Sequence, residues 1–263
     1  MGKERILFND SDLIRHLAEL FNAVPYGGWI VVGLTLIGGS VWGYRRLHPQ
    51  HRPNVKRVYA LIILSLEIVR LIYYRDMGQF SPGILPLHLC SLTVFLIFIY
   101  AFTNSKLVKE SLYAMGMTTS VLGLIYADSL LRDGLNFVSI QSFISHGLMV
   151  GFIFMTVFAK EITPELKRLP GVFGLYLILA AGVYVFNKTY HTHFWFLNGS
   201  IGMFPLTVIE SVFGNPGYIF IVMGLIVLAW GLLYLPVLIQ HFTKKTKRSN
   251  HASIDPNPNV VED

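Results

Sequence analysis

Seven apolar runs constrain this chain more than any motif: residues 27–44, 57–74, 84–103, 109–127, 140–160, 170–187 and 217–240. Several reach the ~18–20 residues that a helix needs to cross a hydrocarbon core ~30 Å thick. A backbone in lipid must satisfy its own hydrogen bonds, so each run is expected as a helix. The predicted fold class is therefore all-α, a polytopic bundle of about seven transmembrane helices. Composition agrees, since 53% of the 263 residues are hydrophobic and 14% charged, with mean hydropathy +0.55, too apolar for a soluble domain. The fourth run is the weakest, because Met115-Gly116-Met117-Thr118-Thr119-Ser120 interrupts it.

Cation placement sets the expected topology. Arg45, Arg46, Arg52, Lys56 and Arg57 follow the first run, Lys106 and Lys109 the third, and Lys160, Lys167 and Arg168 the fifth. The tail holds Lys244, Lys245, Lys247 and Arg248, whereas the intervening connections hold only Arg75, Arg132 and Lys188. Cation-rich alternate loops put the amino terminus outside and the carboxyl terminus in the cytoplasm of a cell-membrane protein. The formal charge of +6 thus reads as topology, and no nucleic-acid partner is expected.

Three regions follow. Residues 1–24 are expected as an amphipathic helix on the outer surface, with Asp10-Ser11-Asp12 capping Leu13, Ile14, Leu17, Leu20 and Phe21. Glu4, Asp10, Asp12 and Glu19 there do not fit a cleavable signal peptide. Residues 25–242 form the bundle, and 243–263 a basic tail expected to be disordered, with Pro256 and Pro258 near its end. The stretch 193–212 is too long and apolar for an ordinary loop; Gly199, Gly202 and Pro205 suggest a re-entrant or interfacial piece.

Chemistry centres on Leu85-Pro86-Leu87-His88-Leu89-Cys90-Ser91, which holds the sole cysteine. Cys90 lies six residues into an inward-running span and His146 six residues into another, each at a depth of about 9 Å. Glu67 and Arg70, spaced i, i+3, fall in the outer half of the second span. All four can converge on one chamber, where the imidazole would take the thiol proton. Ser142, one turn before His146, is a candidate to orient that ring. The bland reading keeps Cys90 as an inert buried thiol. Glu67 and Arg70 read either as a structural ion pair or, through Arg70, as a phosphate-binding group. Pro86 suits a first helical turn. His88, two positions from Cys90 on a helix, points the other way, towards a neighbouring helix or a lipid headgroup. His191-Thr192-His193, and the pair His48 and His51, lack the further ligands of a metal site, so no metal is expected. Tyr190, Phe194, Trp195 and Phe196 read as an aromatic belt. Neither a phosphate-binding glycine loop nor a serine-hydrolase elbow occurs.

The run Leu85-Pro86-Leu87-His88-Leu89-Cys90, with His146-Gly147 further on, resembles the YwaF family of bacterial integral membrane proteins, which is similar to the animal transmembrane protein 164. Glu67 matches a glutamate of the preceding span in that family, and Asn187 and Tyr190 match an asparagine and aromatic residues after the sixth span. Leu197-Asn198-Gly199 and Gly214-Asn215-Pro216-Gly217-Tyr218 depart from its lysine-proline and glycine-proline-tryptophan patterns, which bears on substrate preference. The resemblance implies a seven-helix protein and, from the animal relative, phospholipid acyl transfer with Cys90 as acyl acceptor and His146 as base. Arg70, Glu67, His88, Ser142 and Asn187 would then attend the substrate, a membrane phospholipid or lysolipid, with no cofactor. A transporter or lipid-binding protein with Glu67 and Arg70 as its polar groups is the alternative. A haem held by His88 and His146 is a third. The sequence leaves the oligomeric state open.

Overall fold

The computed structural model describes residues 26–132, 137–200, 202 and 204–254. The expected surface helix of residues 1–24 lies outside them. Among the described residues the regular structure is all helical: α1 (Tyr26–Arg46), α2 (Arg52–Asp76), α3 (Leu89–Phe102), α4 (Lys106–Ser111), a π-helical turn (Leu112–Gly116), α5 (Met117–Arg132), α6 (Phe137–Phe158), α7 (Leu169–Tyr190), α8 (Leu206–Phe213) and α9 (Gly217–Ile254). Among the described residues three stretches are long and apolar enough to cross a bilayer: Phe137–Phe158, Leu166–Tyr190 and Gly217–Ile239. The first is largely buried within the protein and the other two are largely exposed, so α6 is the axis of the bundle and α7 and α9 flank it.

Small residues let α6 sit close to its neighbours. A Cβ on Gly151 would stand 2.8 Å from the Tyr59 hydroxyl of α2 and 3.1 Å from Ser40 Oγ of α1. Those two hydroxyls bond to each other at 2.8 Å, tying α1 to α2 across the glycine. Gln141 Nε2 donates to the Leu66 carbonyl of α2 at 3.2 Å and so joins α6 to α2. At one end of the bundle Glu161, just past α6, gathers three helices. Its carboxylate accepts from Tyr44 of α1 at 2.7 Å, Lys56 of α2 at 2.7 Å and Tyr100 of α3 at 3.4 Å.

The fourth apolar run is interrupted for a structural reason. Its Met115-Gly116 step closes a π-helical turn whose five residues are all buried. A Cβ on Gly116 would stand 3.2 Å from both Thr93 and Ile153, so the bare backbone admits α3 and α6 side by side. α3 and the rod formed by α4, the π turn and α5 make an antiparallel hairpin. Lys109 lies over the Tyr100 ring at 5.9 Å, and Thr119 Oγ1 bonds Thr93 Oγ1 at 3.0 Å.

Two expectations need correction. The third helix starts at Leu89 and not near residue 84. Pro82–Ile84 is a 3-10 turn, and Leu85 is extended at φ −55, ψ 151, because a residue before proline is kept out of the helical region. Pro86 therefore precedes the helix, and Cys90 stands in its first turn. The tail is also more ordered than expected, since α9 stays helical to Ile254. Lysine and arginine are good helix formers, and extending an existing helix needs no new nucleus. Residues 255–263 lie outside the described chain.

Candidate active site

Glu67 is the hub. It is buried on α2, and its carboxylate accepts from Arg70 Nη2 at 2.7 Å, Arg70 Nε at 3.3 Å and Ser91 Oγ at 2.9 Å. Arg70 Nη2 also donates to the Ile84 carbonyl at 3.1 Å. Arg70 thus ties α2 to the extended strip before α3. The same carboxylate lies within electrostatic reach of Cys90, His88 and His146.

Cys90 is a free, partly buried thiol. The first turn of α3 leaves its backbone N–H donors without a carbonyl partner in the helix. Leu92 is the first residue of α3 whose N–H is taken, by the His88 carbonyl at 2.9 Å.

His146 is buried on α6, and its Nδ1 lies 2.7 Å from the Ser142 carbonyl oxygen. A carbonyl only accepts, so Nδ1 carries the proton and Nε2 keeps a free lone pair. Ser142 therefore orients the ring, chiefly through its backbone, since its hydroxyl stands at 3.4 Å. Nε2 is buried with no hydrogen-bond partner. Cδ2 and Nε2 press onto Gly123 of α5, where any Cβ would overlap them.

The hairpin register relates the two residues. Thr93 faces Thr119. One turn back along α3 is Cys90, and one turn forward along antiparallel α5 is Gly123, each about 4.5–6 Å away. Gly123 is the floor under His146, so Cys90 and His146 lie at one level of the bundle, although Nε2 makes no hydrogen bond to the Cys90 thiol.

Two further predicted site residues have other duties. Asn187 is fully buried; its Nδ2 donates to the Phe194 carbonyl at 2.8 Å, and its Oδ1 accepts from Thr192 Oγ1 at 2.8 Å and Phe194 N at 3.0 Å. Both ends of the amide hold the turn after α7. His88 caps α3 in an extended conformation, so the helical argument that turned it away from Cys90 does not apply. Its ring meets Phe194 edge to face at 4.7 Å. His88 and His146 thus pack on different elements.

The profile of the TMEM164 family matches residues 20–234. The chain belongs to the TMEM164 family. That agrees with the likeness to the animal transmembrane protein read from the Cys90 run. No curated protein and no solved structure matches the chain.

In this TMEM164-family membrane protein, Ser91, Trp195 and Gly123 complete the site. Ser91 links α3 to Glu67. Trp195 Nε1 donates to the Leu87 carbonyl at 2.7 Å, and its ring stacks on Tyr176 at 5.3 Å. Phe194 and Trp195 are buried rather than part of an interfacial belt, because the indole N–H has its acceptor inside the protein. Tyr190, by contrast, is exposed. Gly123 carried one signal, a glycine within an apolar helix, where close approach by another group is the usual reason. Among the described residues no three His, Cys, Asp or Glu side chains gather as a metal site requires.

Proposed function

We propose that this protein transfers an acyl chain between membrane lipids through Cys90 and His146. The observation that carries the reading is the buried, unpartnered Nε2 of His146, its tautomer fixed by the Ser142 carbonyl, level with a thiol in the first turn of α3. Nε2 takes the Cys90 proton as the sulfur attacks the carbonyl carbon of a phospholipid acyl ester. A C–S bond forms, the ester C–O bond breaks, and the proton on Nε2 passes to the departing lysolipid alkoxide. A hydroxyl or amine of a second lysolipid then gives its proton to Nε2 and attacks the thioester, and the thiol is restored. The unused N–H groups of the first turn of α3 suit the oxyanion of each tetrahedral intermediate. Glu67, held by Arg70 and Ser91, supplies a fixed negative field that favours the imidazolium formed on proton transfer.

We further propose that seven helices cross the cell membrane with the carboxyl terminus in the cytoplasm. The cation-rich connections and the helices that cover the apolar runs support that count. Arg70 spends Nε and Nη2 within the protein, so its part in binding a headgroup is limited to Nη1.

Cys90→Ser is expected to abolish labelling by a thiol-reactive acyl probe while the protein keeps its helical circular dichroism. Labelling that survives in this single-cysteine chain would refute the mechanism. The buried ion pair Glu67–Arg70 is the one observation that also suits a transporter. Substrate flux into vesicles that persists in Cys90→Ala would favour that reading.

A further inference from the structure

Several cations of the described bundle have an acid. Lys56 and Arg52 use Glu161, Arg70 uses Glu67, and Lys167 and Arg168 use Glu165. Arg45 and Arg46, the last residues of α1, are exposed and pair with no carboxylate among the described residues. The Arg46 guanidinium lies instead over the Trp42 ring, 4.1 Å from its centroid, and Trp42 is itself 61% exposed. Basic residues suit the negative end of a helix dipole, which explains their presence but not what lies beside them.

Beside them is a groove of about 600 Å³ between α1 and α6. Ile37, Val41, Phe154 and Phe158 wall it, Trp42, Arg45 and Arg46 close one end, and Gly38 is its floor. A Cβ on Gly38 would meet no atom within 4 Å. Residues 38, 41, 42, 45 and 46 follow helical spacing, so a single face of α1 grades from bare backbone through aliphatic and aromatic groups to two guanidiniums. That order is the order of a phospholipid: chain, ester region, anionic phosphate. A neutral lipid would leave the guanidiniums unanswered, whereas guanidinium forks match a phosphate.

We propose that this groove binds one anionic phospholipid, its phosphate between Arg45 and Arg46 and an acyl chain along Gly38. The site is separate from Cys90. Tyr44, next to Arg45, shares Glu161 with Tyr100, which is ten residues along α3 from Cys90, or about 15 Å. The groove therefore lies towards the opposite end of the bundle from the chemistry.

Trp42 reports occupancy directly. The whole protein is reconstituted in phosphatidylcholine vesicles with increasing brominated phosphatidylglycerol or brominated phosphatidylcholine, and the Trp42 share of emission is taken by difference from Trp42→Phe. The anionic lipid is expected to quench that share at a roughly tenfold lower mole fraction than the zwitterionic one. The preference should vanish in the double variant Arg45→Gln, Arg46→Gln. Gly38→Leu adds a side chain where no protein atom stands, so it leaves the fold intact, and it should weaken quenching by the anionic lipid severalfold. Emission from the buried Trp29, Trp195 and Trp230 monitors folding in every variant. Equal quenching by the two lipids means contact with ordinary surrounding lipid only and overturns the proposal. So does a preference that survives loss of both arginines, or quenching unchanged in Gly38→Leu.

Discussion

At the scale of single residues, the site depends on who holds each side chain. Glu67, Arg70, Cys90 and His146 were visible in the sequence because ionisable groups and a lone thiol inside apolar runs are costly and few. Their partners were not visible, because a hydrogen bond to a carbonyl such as that of Ser142 or Ile84 leaves no mark on residue type. Asn187 is the clearest case. Its match to a family pattern suggested a substrate contact, yet its amide is consumed by the Thr192–Phe194 turn, where each buried group left unpaired would cost roughly 1–3 kcal/mol. Gly123 offers a sharp test. In Gly123→Ala the new methyl must displace the His146 ring, while alanine favours the helix. Acyl transfer is expected to fall about 100-fold with helical circular dichroism unchanged, since small misplacements of a reacting group are that costly. Activity at the wild-type level would mean that the ring position is immaterial.

At the scale of elements, the start of α3 and the turn after α7 act as one unit. Hydropathy marked the third run correctly but misplaced its first turn, because Leu85 and Leu87 are as apolar as the helix that follows. Pro86 carried the correction, since it bars Leu85 from helical geometry. The turn after α7 holds Trp195 and Phe196 both at φ 57, an unfavourable conformation for aromatic residues. Stacking of Trp195 on Tyr176 and its bond to the Leu87 carbonyl hold it there. Trp195→Phe retains the ring and loses the bond. It is expected to free the Leu85–His88 strip and speed alkylation of Cys90 by a maleimide severalfold, read as a rate in detergent. An unchanged rate would show that the turn does not guard the thiol.

At the scale of the whole molecule, the helical class and the order of apolar segments were legible because lipid leaves a chain few alternatives. Which helix forms the axis was not legible; all the runs are apolar, and only the assembled bundle distinguishes buried α6 from the flanking α7 and α9. Glu161 fastens one end of that assembly. Burial opposes its charge, but Lys56, Tyr44 and Arg52 outweigh burial and hold its carboxyl below the usual carboxylate range. A carboxyl depressed in the folded state contributes stability above its unfolded pKa and loses it as pH falls through the folded value. Thermal stability should therefore drop below about pH 4.5, and the gap between wild type and Glu161→Gln should close over the same window. A gap that stays constant with pH would remove Glu161 from this role.

The central claim is that His146 activates Cys90 towards a lipid ester. Intact-mass analysis of the protein after incubation with phospholipid vesicles tests it most directly. A hydroxylamine-sensitive fatty-acyl adduct is expected on Cys90, forming about 100-fold or more slowly in His146→Gln. An adduct that forms equally fast in His146→Gln, or no adduct on the wild-type protein, would contradict it.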